Sequence, residues 1–234
     1  MLLKNLINYS SKKTEEVKIN GLALDSRKVK KGDLFFAIKG NKINGEKYIK
    51  DALSSGAKAI ICSNKFQIKK SNNLIIRVKD PKKTLINTCV KFYKKKPKNI
   101  IAVTGTNGKS SVANFFHQIL LLNKIPVASI GTLGIKINEK TKKTKLTSLD
   151  IISLHKNLEK IKKAKIDNVI IEASSHGLKQ GRLNGLKLKA GIFTNFSQDH
   201  LDYHKTMINY FNSKMILFSK LLKKKNFVIA DEDF

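Results

Sequence analysis

No apolar run in this 234-residue sequence approaches the ~18–20 residues needed to cross a bilayer. The N-terminus, Met1-Leu2-Leu3-Lys4-Asn5, has a few apolar residues but lacks the apolar core and small-residue cleavage site of a secretory signal. Both absences predict a cytoplasmic protein without membrane insertion. Cysteine is nearly missing: Cys62 and Cys89 stand far apart and form no CxxC pair, which argues against a disulfide framework or a redox motif and for two reduced, buried thiols. Acidic residues are scarce, 17 against 47 basic ones, for a net charge of +30. Arginine is scarcer still. Only Arg27, Arg77 and Arg182 occur, so the other 44 basic residues are lysines spread along the chain, with short runs at Lys94–Lys96 and Lys223–Lys225. Base readout and phosphate forks favour arginine. A Lys-rich solvated surface is therefore expected rather than a nucleic-acid binder, though the charge can attract an anionic substrate.

What is present is a globular complement, 41% hydrophobic, enough for one large or two modest domains. The first ~95 residues read as a small α/β unit. Strands are expected at Leu34–Ile38, Ala59–Cys62 and Leu74–Val78, with a short helix from Gly45 to Gly56. Asp80-Pro81 opens another helix, Asp as N-cap and Pro at the first helical position. Lys94-Lys95-Lys96-Pro97-Lys98 breaks it and reads as a linker, giving expected domains at 1–96 and 97–234. Beyond it, strands are expected at Asn99–Val103, Val127–Ile130, Val169–Ile171, Gly191–Phe193 and Phe227–Ala230. Helices are expected at Ser110–Leu122, Ile151–Lys163 and Thr206–Leu222. In the first of these helices Val112, Phe115, Phe116, Ile119 and Leu120 are taken as one buried face. The alternation implies a parallel, doubly wound sheet. Because Asp231–Phe234 follow directly on the last strand with no closing helix, the sequence is expected to be a fragment of a longer protein.

Three features carry chemistry. Val103-Thr104-Gly105-Thr106-Asn107-Gly108-Lys109-Ser110-Ser111 lies between a strand and a helix, where a phosphate-binding loop belongs. Its glycines let backbone N–H groups face phosphate oxygens, Lys109 can reach the β/γ-phosphates, and the Ser110 hydroxyl can bind Mg²⁺. Val103 stands where the standard pattern has its first glycine, so the loop is a variant; a plain glycine turn with a solvent lysine is the alternative. Second, Glu172 ends a buried strand, and Asp199, His200, Asp202 and His204 crowd six residues after the next strand. Functional groups gather at the carboxyl ends of parallel strands, so these are candidate metal ligands, with capping side chains on polar loops as the alternative. Third, Lys214 falls in the stripe Met207, Tyr210, Phe211, Phe218 and Leu221. A desolvated lysine loses its charge readily and its amine can combine with CO₂ as a carbamate. From the pattern alone, a lysine snorkelling to solvent is the favoured reading.

These residues resemble the Mur ligase family. Gly105-Thr106-Asn107-Gly108-Lys109-Ser110 is similar to its phosphate loop. Glu172-Ala173-Ser174-Ser175-His176-Gly177-Leu178, then Gln180 and Arg182, with Asp199-His200-Leu201-Asp202-Tyr203-His204, resembles the UDP-N-acetylmuramoyl-tripeptide synthetase branch. Leu24-Asp25-Ser26-Arg27 with Gly32-Asp33-Leu34-Phe35 resembles that branch's N-terminal UDP-binding domain. The resemblance implies a P-loop ATPase domain truncated by the end of the chain and a missing C-terminal domain that would bind the incoming amino acid. It implies ATP held by Gly105, Thr106, Asn107, Gly108, Lys109, Ser110 and Ser111. The precursor UDP-N-acetylmuramoyl-L-Ala-D-Glu would be held by Leu24, Ser26, Asn41, Lys42, Ile43, Thr147, Ser148, Ser174, Gln180 and Arg182. Mg²⁺ would be held by Ser110, Glu172, His200 and a carbamylated Lys214, with Lys109, Lys214 and His200 catalytic. The implied activity is ATP-dependent addition of a diamino acid, meso-diaminopimelate over L-lysine, through an acyl phosphate, by a monomer. Ser148 and Leu149 depart from the family's Thr-Thr-Pro pattern. Other readings are a related ligase such as folylpolyglutamate synthetase, which would lack the Leu24-to-Phe35 signature, and a non-catalytic UDP-sugar or ATP-binding fragment.

Overall fold

The computed structural model describes residues 1–7, 14–40, 43–67, 73–142 and 149–230, and the chain divides into two compact units, Met1–Lys94 and Lys95–Phe234. In the first, four parallel strands stand in sequence order: β1 (Gly21–Ala23), β2 (Asp33–Phe36), β3 (Ala59–Ser63) and β4 (Leu74–Val78). Every residue of β2 is buried, the mark of a strand covered on both faces. The expected helix at 45–56 divides into a 3₁₀ turn, Gly45–Tyr48, and α1 (Ile49–Ser54). Helix α2 (Pro81–Phe92) begins as its sequence dictates: Asp80 Oδ1 accepts from Lys83 N at 2.9 Å and Pro81 takes the first turn. Cys62 and Cys89 are buried, reduced thiols.

The second unit is built on seven strands. In chain order they are β5 (Asn99–Thr104), β6 (Val127–Gly131), β7 (Gly134–Ile137), β8 (Lys140–Lys142), β9 (Asn168–Glu172), β10 (Ala190–Phe193) and β11 (Phe227–Ile229). In space they run β11-β10-β5-β9-β6-β7-β8. Five strands are parallel, but β7 and β8 turn back antiparallel, so the sheet is mixed at that end rather than parallel throughout. The helices are α3 (Lys109–Leu122), α4 (Ile151–Lys163), α5 (Ser175–Lys179), α6 (Leu201–His204) and α7 (Met207–Ile216).

Alternation along the strands sends side chains to both faces. Val103 and Ile170 pack with Ala113 of α3 on one side. Ile100, Ala102, Val169 and Ile171 pack with Leu154, Leu158 and Ile161 of α4 and with Leu178 of α5 on the other. Helices on both faces make the sheet doubly wound.

Two helical expectations are corrected. Helix α3 buries Ala113 and His117 and leaves Phe115 and Ile119 each 59% exposed. The small Ala113 lets the helix approach β5 and β9; Val112 and Phe116 of the expected face pack beside it, while Phe115 and Ile119 turn outward. The 206–222 helix ends at Ile216 and continues as a π-helical turn, Leu217–Leu221, which sinks Leu217 fully into the core. Among the described residues no helix is long and apolar enough to cross a membrane.

Candidate nucleotide and metal site

The phosphate loop joins β5, central in the sheet, to α3. The chain order reverses beside β5, since β6 and β9 lie to one side and β10 to the other. Such a switch point opens a crevice at the carboxyl ends of the strands. Here it is a cavity of about 300 Å³ lined by residues 105–111, Thr132, Glu172, Ser174, Ser175, His200, Tyr210 and Lys214.

Local sequence fixes the loop. Gly105 (φ 148°) passes so close to Thr194 that an added Cβ would sit 1.8 Å from its Oγ1, and Gly108 (φ 78°) turns the chain into α3. The residues after β10 brace it: Asn195 O accepts from Thr106 N at 2.9 Å, Asn195 Oδ1 accepts from Asn107 N at 2.8 Å, and Thr194 Oγ1 donates to Asn107 O at 2.6 Å. Lys109 Nζ folds back to donate to Gly105 O at 2.9 Å and Thr106 O at 2.6 Å. Burial lowers the pKa of this ammonium against the opposing pull of Glu172 and Asp199.

Glu172, 4% exposed at the end of β9, is met by three donors. Ser110 Oγ donates to Oε2 at 2.8 Å, Thr132 Oγ1 to Oε2 at 3.0 Å, and Thr132 N to Oε1 at 3.1 Å. Lys214 is 1% exposed, so it does not snorkel. Its Nζ donates to Gly105 O at 2.5 Å and lies 4.2 Å from the centre of the Tyr210 ring. Burial, then the like charge of Lys109, lowers its pKa to about 7, opposed by Asp199. A pair of ammonium groups sharing the Gly105 carbonyl leaves room for strong negative charge beside it.

His200, in left-handed conformation (φ 52°), heads α6 and faces the same cavity, with Asp199 Oδ2 3.4 Å from its Nε2. Among the described residues no three His, Cys, Asp or Glu side chains converge as a ligand set. The donors that do meet, a hydroxyl and a carboxylate with one imidazole nearby, nevertheless fit Mg²⁺. That ion keeps most of its waters and takes its remaining ligands from one or two carboxylates and from phosphates. Ser110, Glu172, His200 and Lys214 thus reach one cavity from four separate stretches of sequence.

His204 is the buried member of its cluster, 1% exposed, between Ser175 Oγ (3.0 Å from Nε2) and Ser213 Oγ (3.2 Å from Nδ1). Ser213 gives its proton to Asn209 O at 2.7 Å, so Nδ1–H donates to Ser213 and Nε2 accepts from Ser175. Burial, with His176 next, lowers the pKa of His204 from 6.5 to about 4. Below 6.5 the unfolded chain takes up a proton here that the folded chain refuses until about 4. The stability this neutral ring carries is complete above 6.5 and is lost as pH falls through about 4, at about 1.4 kcal/mol per unit. His204→Phe should flatten that part of the acid slope in urea unfolding; parallel slopes for both proteins would contradict it.

The substrate candidates divide. Ser174 lines the cavity and caps α5, its Oγ accepting from Gly177 N at 3.1 Å. Beyond α5, Arg182 donates through Nε and Nη2 to Gln180 Oε1 at 3.0 and 2.7 Å; burial lowers the pKa of its guanidinium, opposed by Asp150 and Tyr203. In the N-terminal unit Leu24, Ser26 and Ile43 line a separate cavity of about 530 Å³ with Arg27, Phe35 and Tyr48. Asn41, Lys42, Thr147 and Ser148 lie outside the described residues. Sequence reasoning missed Thr132, Thr194 and Tyr210 as members of the site. Tyr210 was legible only as a core aromatic, and Thr132 sits in a two-residue turn with no pattern of its own.

Comparison with known proteins agrees with this geometry. Residues 103–234 match the family described as Mur ligase middle domain, and residues 18–93 match that described as Mur ligase family, catalytic domain. The chain is 44% identical over 223 residues to the UDP-N-acetylmuramoyl-L-alanyl-D-glutamate--2,6-diaminopimelate ligase of Rickettsia montanensis, covering 94% of this chain and 46% of that protein. It is 41% identical over 220 residues to the enzyme of the same name from Rhizobium meliloti, covering 93% and 45%. A solved structure of a ligase of that name superposes with TM-score 0.84 at 30% identity, covering 100% of this chain and 47% of that one. The MurF ligase from Thermotoga maritima in complex with ADP shares the fold, with TM-score 0.63 at 21% identity over 94% of this chain and 48% of that one. The chain spans about half the length of the curated relatives it matches. Over that span, from the braced phosphate loop to the buried lysine, the chain belongs to the Mur ligase family.

Proposed function

We propose that this chain carries the precursor-binding and ATP-binding parts of a ligase that joins 2,6-diaminopimelate, in its meso form, to UDP-N-acetylmuramoyl-L-Ala-D-Glu. The observation that carries the reading is the convergence of Ser110, Glu172, His200 and Lys214 on the cavity of the phosphate loop. Residues 105–111 cradle the ATP phosphates, with Lys109 leaving its loop carbonyls for the β/γ-phosphates. Leu24, Ser26 and the 41–43 loop take the uridine end. Thr147, Ser148, Ser174, Gln180 and Arg182 take the muramoyl-dipeptide. Diaminopimelate is favoured because relatives 41–44% identical bear that name.

The reaction transfers the γ-phosphoryl group to the side-chain carboxylate of D-Glu, giving an acyl phosphate and ADP. The incoming amine then adds to that carbonyl and phosphate departs. Three phosphates and a carboxylate must share one small site. Lys109 and Arg182 offset their charge, and fixed geometry does the rest. Mg²⁺, held by Ser110, Glu172 and His200, would supply further neutralisation. A carbamate formed from the neutral Lys214 amine and CO₂, with loss of one proton, would turn a neutral group into an anion able to hold a second ion. The reading carries with it a cytoplasmic location, where ATP is available, and a monomer, since every residue invoked comes from one chain.

In a full-length protein that carries this sequence, turnover should require the dipeptide precursor, ATP and diaminopimelate together. Lys214→Ala should cut kcat by at least about a thousandfold, on the scale of removing a preorganised electrostatic group. Wild-type turnover in that variant would remove Lys214 from the mechanism, and turnover with a folate in place of the precursor would replace the reading altogether.

A further inference from the structure

His204 has no part in the chemistry above, yet it is buried with a serine partner on each ring nitrogen. Its ring bridges Ser175, the first residue of α5, and Ser213 of α7. Ser175 follows Glu172 by three residues, and Ser213 immediately precedes Lys214. The same ring packs on Tyr210 at 5.2 Å between centroids. Tyr210 in turn donates through its hydroxyl to Thr106 Oγ1 at 3.3 Å and supports Lys214 Nζ on its face.

Consecutive helical residues point about 100° apart. Fixing Ser213 therefore fixes the rotation of α7 about its axis, and with it the direction in which Lys214 leaves the helix. Imidazole suits the task because its two nitrogens, one donating and one accepting, lie at a set angle on a rigid ring.

We propose that His204 is a positioning residue: by bridging Ser175 and Ser213 it holds the Lys214 amine against the phosphate loop. Its importance for catalysis rests on the ligase reading, but the pose of Lys214 can be measured without it. Reductive methylation of the 234-residue chain, read residue by residue in peptide mass spectra, reports how often each amine reaches solvent. Lys136, whose Nζ donates to Asn114 Oδ1 at 2.8 Å on the other side of the unit, serves as the internal reference.

In His204→Phe, which keeps the ring and loses both hydrogen bonds, Lys214 should be labelled about tenfold faster, as expected when a buried polar tether is lost. Lys136 should keep its wild-type rate. Ser213→Ala, a smaller change, should accelerate Lys214 in the same direction, and it decides the matter should His204→Phe fail to melt cooperatively. A slow, wild-type Lys214 in either folded variant would overturn the proposal. So would an equal rise at Lys136, which would mark His204 as a general support of the fold. Because the assay uses neither nucleotide nor precursor, a negative result here leaves the ligase reading intact, and failure of the ligase reading leaves this result standing.

Discussion

Lys109→Met should weaken binding of MgADP to this chain by about 1.5–3 kcal/mol, roughly tenfold to 150-fold, the cost of losing charge-assisted hydrogen bonds to phosphate. The unbranched apolar stem of the side chain is kept, and the loop it leaves is still braced by Thr194 and Asn195. The fold should therefore survive and the loss should appear in affinity, measured by calorimetric titration. A second effect follows from the shared carbonyl. Lys109 is the like charge that, after burial, holds Lys214 down. Its removal should raise the Lys214 pKa, visible as a shift in the pH dependence of Lys214 methylation. Unchanged MgADP affinity would contradict the assignment of Lys109 to the phosphates.

Gly131→Ala should be among the most damaging single methyl additions in the larger unit. A Cβ there would lie 2.0 Å from Glu172 Oε1 and 2.3 Å from its carboxyl carbon. Glu172 ends β9 next to β6, so neither backbone can retreat without breaking strand pairing. The carboxylate must swing away from Ser110 and from Thr132, leaving a buried charge with fewer donors. Overpacking and lost hydrogen bonds together should cost about 2–4 kcal/mol and lower Tm by about 5–15 °C for a protein of this size. Calorimetric melting decides it, and an unchanged Tm would mean that Glu172 is held less tightly than its three donors imply.

Much of this was readable before any coordinates. Asp80-Pro81, the helix at 151–163 and the apolar strands were legible because capping chemistry and uninterrupted Val/Ile runs are local signals. The phosphate loop was legible because strand, glycines, lysine and helix stand in one contiguous stretch. The β7–β8 hairpin was not, because β8 is Lys140-Thr141-Lys142, fully exposed and without alternation, and its turn hides in Asn138-Glu139. Losing the hairpin meant losing Thr132, whose turn between β6 and β7 delivers two of the three donors to Glu172. The face of α3 was legible at Val112 and Phe116 but misread at Phe115 and Ile119, because helical spacing cannot tell a large apolar group turned outward from one turned in. Ala113, the residue that decides the packing, carries little hydrophobic signal. Lys214 was misread on pattern alone for a related reason. Periodicity places it on the stripe, but only the fold shows that the stripe is covered there by the phosphate loop and Tyr210.

The most direct test is the melting temperature of the 234-residue chain with UDP-N-acetylmuramoyl-L-Ala-D-Glu, set against UDP-glucose at the same concentration. At a hundred times Kd a ligand bound only by the folded state adds about 2.7 kcal/mol, a rise of about 5–10 °C for a chain of this length. That rise is expected with the precursor and a much smaller one with UDP-glucose, which lacks the muramoyl-dipeptide. A cooperative melt that neither compound moves, or that both move equally, would contradict it.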